Sequence, residues 1–160
     1  TALGNVELGL EILGGAGKAE RRDRSMAMLQ RVGLAGAVGL YPWQLSHGMR
    51  QRVALARTWV TNPRLLLMDE PFAALDAQTR LSVREQFLDI WEQDRKGVIF
   101  VTHDLAEALV LADRILVIGE GEIKLQINVP FARPRHEIDI RSDPRFAQIE
   151  RDVWVHLMQT

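Results

Sequence analysis

Apolar residues in the first 60 positions of the chain recur at helical spacing. Residues 1–12 and 19–32 each predict helical structure, and Gly33 is placed to stop the second segment. Glycines and a proline at 33–44 predict a loop. A third helix is predicted to start at Ser46, whose hydroxyl can cap it. The apolar stripe of this helix falls at i, i+4, i+7 and i+11: Met49, Val53, Ala56 and Val60.

Three short apolar runs after residue 60 predict strands. They are "LLLM" at 65–68, "VIFV" at 98–101 and "ILVI" at 115–118. Because polar residues do not alternate within these runs, we expect strands that are buried on both faces, as in a parallel sheet. A helical segment at 77–95 separates the first two runs, and a shorter one beginning "DLAE" separates the last two. This order predicts an α/β layer with right-handed crossovers.

The last 40 residues predict two further elements. "GEGEIKLQI" after the third run predicts a tight turn into one more strand, antiparallel to the third. A segment rich in proline and arginine at 130–141 then leads to a helix that starts near Asp143. The side chains expected on the buried side of that helix are Phe146, Ile149, Val153 and Leu157.

Composition excludes several classes of function. The 160 residues carry 20 Lys and Arg against 21 Asp and Glu, so the net charge of −1 gives no electrostatic case for a nucleic-acid partner. The absence of cysteine excludes disulfides and thiolate metal sites, and it fits a reducing cytosol. No apolar run reaches the roughly 20 residues that span a bilayer, so we expect any membrane role to come through a partner.

Chemically useful side chains follow two of the predicted strands. Asp69 and Glu70 end the first, and His103 lies just past the end of the second. The carboxyl ends of parallel strands share one edge of a sheet, so we expect the three to meet there. Asp69 suits a hydrated Mg²⁺, Glu70 suits the polarisation of an attacking water, and His103 suits a hydrogen bond to a transferred phosphate. Taken singly, each residue also fits a turn cap, a solvated acid or an ordinary loop histidine.

The segment "LSHGMRQRVALAR" predicts an anion site at the start of the third helix. Ser46 and Gly48 offer a hydroxyl and free backbone N–H groups at the positive end of the helix dipole. A serine cap followed by an ordinary amphipathic helix fits the same residues.

The order of four motifs carries a family resemblance. "LSHGM", "LLLMDEP", "AALD" and "VTHD" occur in the order and approximate spacing of the ATP-binding-cassette ATPases, which the chain resembles over essentially its whole length. The tail "VPFARPRHEIDIRSDPRFAQIERDVW" is similar to the nitrate, sulfonate and taurine importer subfamily. The resemblance implies a P-loop NTPase-like (RecA-like) α/β fold. Its mainly parallel sheet would be truncated at the N-terminus and joined to part of a helical subdomain.

The resemblance implies a division into three parts. Residues 1–45 would belong to the helical subdomain, which touches the membrane-embedded permease in this family. Residues 46–129 would form the catalytic α/β core with the signature, the Asp-Glu strand and the switch histidine. Residues 130–160 would form the C-terminal tail and helix.

The resemblance also assigns the signature and the loop that couples the two active sites. Ser46, His47, Gly48 and Met49 match the signature loop, which contacts the γ-phosphate of ATP held by the opposite subunit. Asp76 in "AALD" matches the coupling loop of the dimer. His47 stands where the family usually has glycine, and a histidine there can restrict close backbone approach and a positive φ.

The acids and the histidine receive roles in the same way. Asp69 matches the aspartate that holds Mg²⁺ through water, Glu70 matches the general base, and His103 matches the switch histidine. The cofactors implied are therefore ATP and Mg²⁺.

The glycine-rich stretch "GGAGKAE" does not fit the phosphate loop that such an ATPase needs. The pattern G-x-x-x-x-G-K-[ST] requires glycine at Ile12 and serine or threonine at Ala19, and no buried strand precedes it. We expect it to be a loop between two helices, with the true phosphate loop upstream of Thr1. The chain as printed is then expected to bind ATP poorly and to be inactive by itself.

The function implied is that of an ATPase subunit of an importer for a small anion such as nitrate, a sulfonate or taurine. Its implied partners are a second ATPase subunit in a homodimer, permease subunits and, indirectly, a periplasmic solute-binding protein, with no nucleic acid. It would lie peripherally on the cytoplasmic face of the membrane. Two alternatives are a non-catalytic truncated remnant and an ABC-type ATPase that acts on DNA. The latter usually has a long coiled coil, for which the short segment 59–64 leaves no room.

Overall fold

The computed structural model describes residues 1–158, and the chain divides into two units, 1–99 and 100 onward. The α-helices and strands that start in the first unit are α1 Ala2–Leu13, α2 Lys18–Arg31, α3 His47–Trp59, β1 Leu65–Asp69, α4 Ala77–Gln93 and β2 Gly97–Val101, and two 3₁₀ turns lie at Ala35–Ala37 and Pro42–Gln44. Those of the second unit are α5 Leu105–Leu111, β3 Arg114–Gly119, β4 Glu122–Asn128, α6 Glu137–Ser142 and α7 Pro144–Met158.

The first unit opens with the three helical segments that the sequence predicts, and these helices pack on one another. Met28, Leu29 and Val32 are buried, and Gly33 follows α2 with φ +71°. Helices α1 and α3 approach closely at Gly9, where an added Cβ would lie 2.5 Å from the Arg57 carbonyl oxygen. Only glycine permits this approach, so it fixes how α1 crosses the helix that begins at Ser46.

An aromatic cluster joins α3, α4 and the loop after β1. Phe72 is fully buried, and its ring centroid lies 6.4 Å from that of Phe87 on α4. The Phe87 ring in turn makes an edge contact with Trp59 of α3, with the centroids 5.7 Å apart. Such aromatic pairs contribute about 0.5–1.5 kcal/mol beyond their buried area. The cluster therefore anchors the loop that follows β1.

Strands β1 and β2 are hydrogen-bonded neighbours, but the prediction that they are buried on both faces is wrong. In β1, Leu66 and Met68 are buried, whereas Leu65 is 50% exposed and Leu67 is 72% exposed. Successive side chains of a strand point to opposite faces. Within residues 1–158, side chains pack against only one face of this two-stranded sheet. The apolar residues on the other face of β1 are exposed, although the sequence predicts that they are buried.

The third predicted strand does not extend that sheet. Instead β3 pairs antiparallel with β4 in a separate two-stranded sheet, in the register Gly119↔Glu122 and Arg114↔Asn128. The two residues between them, Glu120 and Gly121, have φ values of +52° and +81°. A two-residue turn with both φ values positive folds a strand back on its predecessor. The predicted tight turn and antiparallel strand are therefore confirmed, and the predicted placement of β3 in the parallel layer is corrected.

The arginine-rich tail is held in place by the end of α5. Arg133 donates to the Leu111 carbonyl at 2.6 Å and pairs with Asp113 at 2.9 Å. Arg135 is buried and donates to the Phe131 and Ala112 carbonyls. Burial lowers the pKa of the Arg135 guanidinium, and these backbone acceptors offset its lost hydration.

The terminal helix is present but buries less than predicted. Phe146 and Val153 are buried and Ile149 is half-buried, whereas Leu157 is 39% exposed, which corrects its placement on the buried side. The short helix α6 was not predicted, because its six residues are too few to show a helical period. The three-part division at residues 45 and 129 stays a prediction. Within residues 1–158, no helix is both long and apolar enough to cross a membrane.

Candidate functional site

The start of α3 forms as the sequence predicts. The Ser46 hydroxyl accepts a hydrogen bond from the Met49 backbone N–H at 3.2 Å, which makes Ser46 the N-cap. His47 is the first residue of the helix, its side chain is exposed, and its φ is not positive. The histidine therefore occupies the usual glycine position without forcing a left-handed backbone, which removes the expected restriction on φ.

Gly48 is required by packing. A Cβ at this position would lie 2.4 Å from Cγ2 of Thr79 on α4, closer than side chains ever approach one another. The Thr79 side chain is held in place, because both its hydroxyl and its backbone N–H, the latter at 3.0 Å, donate to the Asp76 carboxylate. The glycine therefore brings the start of α3 against the start of α4.

A cavity of about 280 Å³ opens where α3 and α4 meet. Arg52 lines it and donates to the Ser82 hydroxyl at 3.0 Å, while its Nε has no hydrogen-bond partner within the described residues. Burial lowers the pKa of the Arg52 guanidinium. The remaining lining residues are Ser46, Gly48, Met49, Gln78, Thr79 and Ser82. A guanidinium and the positive end of α3 thus face the same space, which favours an anion.

Asp76 is the N-cap of α4. Hydrogen bonds from Thr79, first from its side chain and then from its backbone, lower the pKa of the exposed Asp76 carboxyl. The cap alone accounts for an aspartate at this position. A coupling role for Asp76 is thus additional to its local role and stays a prediction.

The acid pair lies on a strained loop tied to α3. Asp69 ends β1 and is exposed, and Glu70 follows it with φ +45°, in the left-handed region. A non-glycine residue there costs on the order of 1–2 kcal/mol. Two contacts hold the loop against that cost: buried Phe72, and a hydrogen bond from the Gln51 side-chain amide of α3 to the Pro71 carbonyl. The loop therefore orients Glu70 through its backbone.

His103 belongs to the second unit, in the turn between β2 and α5. Its side chain is exposed, and the Asp104 carboxylate caps α5 by accepting from the Glu107 N–H at 3.1 Å. The sequence predicts a capping box here, in which the Glu107 side chain would reach the Asp104 N–H directly. The Thr102 hydroxyl links the same two groups, accepting from the Asp104 N–H at 3.0 Å and donating to Glu107 at 2.8 Å.

The structure brings some of the predicted residues together within the first unit. It joins the signature at the start of α3 to Asp76 through Thr79, and to the Asp69–Glu70 loop through Gln51. The meeting of His103 with the acid pair stays a prediction. Sequence reasoning missed Gln51, Thr79 and Thr102. The sequence shows a threonine directly before His103, and its hydroxyl could have identified Thr102 as a hydrogen-bonding residue. The contacts of Gln51 and Thr79 depend on packing between elements and leave no such sign in the sequence.

Comparison with known proteins points to one family. The family model described as ABC transporter matches residues 4–73. The chain is 44% identical over 155 residues to the taurine import ATP-binding protein TauB of Yersinia pestis bv. Antiqua (strain Antiqua), which covers 93% of this chain and 60% of that protein. Residues 4–73 therefore carry ABC transporter domain sequence.

Other relatives of the same family agree. An uncharacterised ABC transporter ATP-binding protein of Methanocaldococcus jannaschii is 47% identical over 142 residues, which cover 88% of this chain and 53% of that one. The ATP-binding cassette MJ0796, solved as a dimer in a post-hydrolysis state bound to ADP and Pi, matches 82% of this chain and 58% of its own with a TM-score of 0.68 and 36% identity. The predicted P-loop NTPase-like α/β fold is therefore confirmed, and the chain spans little more than half the length of these ABC relatives.

ATP and Mg²⁺ are the groups that an ABC cassette implies, and the described residues fit them in part. The exposed Asp69 carboxylate offers the hard oxygen ligand that Mg²⁺ prefers, although within residues 1–158 no group of three or more acidic or histidine side chains could hold a metal. The segment 14–17 is a loop between helices α1 and α2, as predicted, and Lys18 starts α2. These residues therefore lack the strand, loop and helix order of a phosphate cradle.

Proposed function

We propose that the chain forms part of an ATP-hydrolysing cassette that powers an importer. The observation that carries this proposal is the Asp69–Glu70 loop, which holds an acid pair at a strand end and is tied by Gln51 to the helix that presents Ser46 and Gly48. The same helix would then serve two sites: its N-terminus would face ATP held by a second subunit, while Gln51 steadies the base of its own subunit.

Each residue would contribute a separate part of the chemistry. Bound Mg²⁺ supplies charge neutralisation at the phosphates, and Asp69 would hold it through water. Glu70 would accept a proton from the attacking water, which is worth roughly 10²- to 10⁴-fold in rate. The Ser46 hydroxyl and the N–H groups that start α3 would bind the γ-phosphate of the opposite subunit's ATP, and His103 would hydrogen-bond the γ-phosphate from its own subunit.

A complete cassette also needs a phosphate cradle, which these 160 residues do not supply. No G-x-x-x-x-G-K-[ST] stretch occurs in the 160 residues, and relatives of this chain are longer than it is. The printed chain alone is accordingly proposed to be inactive, and a complete cassette is the unit to test.

The relatives also support a proposal for the substrate class and the partners. Two features support a small anion such as taurine, another sulfonate or nitrate: the similarity to a taurine import ATP-binding protein and the tail after residue 130. The partners would be a second copy of the cassette, permease subunits and, indirectly, a periplasmic solute-binding protein, at the cytoplasmic face of the membrane. The alternative of a truncated remnant rests on the missing phosphate loop, and a DNA-directed ATPase has no supporting feature.

Association of the complete cassette in the presence of ATP tests the proposed role of the α3 N-terminus. Ser46→Glu places a negative charge where the γ-phosphate of the opposite subunit would bind, so we expect it to abolish the ATP-dependent dimer seen by analytical ultracentrifugation. Glutamate at the positive end of α3 does not oppose the helix dipole, so the fold is expected to survive.

Gln126→Glu is the matched control, because it adds the same charge at an exposed position of β4. We expect it to leave the dimer intact. Equal ATP-dependent association of Ser46→Glu and the unchanged cassette would contradict the proposed signature role.

A further inference from the structure

Three hydrogen bonds tie together the residues on either side of His103. The Asp104 N–H donates to the Thr102 hydroxyl at 3.0 Å, and that hydroxyl donates to the Glu107 carboxyl at 2.8 Å. The Glu107 N–H then donates back to the Asp104 carboxylate at 3.1 Å. His103 is the residue enclosed by this loop of bonds, which we name the Thr102–Asp104–Glu107 brace.

Burial makes the brace a rigid one. Glu107 is only 3% exposed, although it is an acid in the first turn of α5. A buried carboxyl is costly unless it is hydrogen-bonded, so the bond from Thr102 is not readily exchanged for water. The Thr102 hydroxyl uses its proton for Glu107 and a lone pair for the Asp104 N–H. Its rotation is thereby fixed.

The brace exceeds what capping of α5 requires. Asp104 alone satisfies the Glu107 N–H, and a direct capping box would satisfy the Asp104 N–H without any threonine. Because the Thr102 hydroxyl accepts from Asp104 and donates to Glu107, the residue before His103 is also tied to α5. Thr102 and Asp104, which flank His103 and are both held by the brace, set the backbone from which the exposed imidazole extends.

We propose that Glu107 is a positioning residue for His103 and acts through the Thr102 hydroxyl. The proposal rests on the proposed role of His103 at the γ-phosphate. Displacement of a catalytic group by about 1 Å can cost as much as 10²-fold in rate. Loss of the hydroxyl is therefore expected to lower kcat for ATP hydrolysis by about tenfold or more, while KM for ATP changes by less than about twofold, because the phosphate cradle is untouched.

Three variants of the complete cassette test this proposal. Thr102→Val keeps the shape of the side chain and removes both hydrogen bonds, and Thr102→Ser keeps the hydroxyl and is expected to recover most of kcat. Thr61→Val is the matched control, because it removes a hydroxyl that donates to the Thr58 carbonyl at 2.7 Å on another part of the chain. We expect that control to hydrolyse ATP like the unchanged cassette.

Two readouts separate positioning from a general loss of structure. In a His103→Ala background, Thr102→Val is expected to cause no further loss of kcat, because the group that it positions is gone. The imidazole NMR signal of His103, identified by its loss in His103→Ala, is expected to shift or broaden in Thr102→Val and Glu107→Gln but not in Thr61→Val. Thermal melting checks that each variant is folded.

The outcomes are distinguishable from failure of the proposed function. Suppose that the complete cassette hydrolyses ATP and that His103→Ala impairs hydrolysis. A kcat for Thr102→Val equal to that of Thr61→Val would then contradict the positioning role of Glu107 and leave the proposed function intact. An unmoved His103 signal in both Thr102→Val and Glu107→Gln overturns it independently of activity. A cassette that shows no hydrolysis at all contradicts the proposed function, and the NMR comparison still decides the brace.

Discussion

Local structural roles explain the identity of Ser46, Gly48 and Asp76 before any ligand is considered. Ser46 caps α3, Asp76 caps α4, and Gly48 makes room for Thr79 where the two helices meet. The sequence predicted the Ser46 cap from its position before an apolar stripe. It could not predict the contact between Gly48 and Thr79, because that contact joins residues 31 positions apart through the packing of two helices.

Gly48→Ala tests that contact. The added methyl group would meet Cγ2 of Thr79 at 2.4 Å, and overpacking of this kind typically costs about 1–3 kcal/mol. We expect a fall in melting temperature of on the order of 2–4 °C per kcal/mol. Thr79→Ser removes the clashing methyl and is expected to restore part of the loss, whereas Gly36→Ala, which meets nothing within 4 Å, is the control. Additive effects of Gly48→Ala and Thr79→Ser would show that the two side chains do not meet.

Elements were predicted more reliably than their partners. The bounds of α3 and β1 and the hairpin of β3 with β4 follow from local patterns, namely a helical stripe, an apolar run and a two-residue turn. The burial of β1 on one face and the pairing of β3 outside the parallel layer do not follow. An uninterrupted apolar run has the same sequence pattern whether one face or both faces of its strand are covered by the described residues.

Helix α7 begins with an ion pair that makes its start sensitive to acid. Hydrogen bonding and charge from Arg145 lower the pKa of the Asp143 carboxyl from 3.8 to about 2. Because the folded state binds this proton more weakly than the unfolded state, the stabilisation is complete above the ordinary pKa and is lost as the pH falls toward 2.

An NMR titration of the Asp143 side-chain carboxyl measures this pKa directly. We expect a midpoint near 2 in the unchanged protein, as the hydrogen bond from Arg145 implies. Arg145→Met removes the guanidinium and is expected to move the midpoint up toward 3.8. A midpoint that is the same with and without Arg145 would mean that the ion pair is absent in solution.

At the scale of the whole molecule, the order of motifs was more informative than the pattern of strands. Four motifs predicted the family, which the comparisons confirm, and they named the residues that the first unit joins through Thr79 and Gln51. The left-handed backbone of Glu70 was not predictable, since glutamate rarely adopts it and contacts from other parts of the fold hold the loop there. The proposed function depends on Glu70 acting as the base of a complete cassette.

The rate of ATP hydrolysis by Glu70→Gln in that cassette tests this dependence most directly. The amide keeps the size of the side chain but cannot accept the proton from water, so we expect steady-state hydrolysis to fall by at least about 100-fold while ATP still binds. Glu85→Gln, at an exposed position of α4, is the matched control and should hydrolyse ATP at the unchanged rate. Hydrolysis by Glu70→Gln at the rate of that control would contradict the central claim.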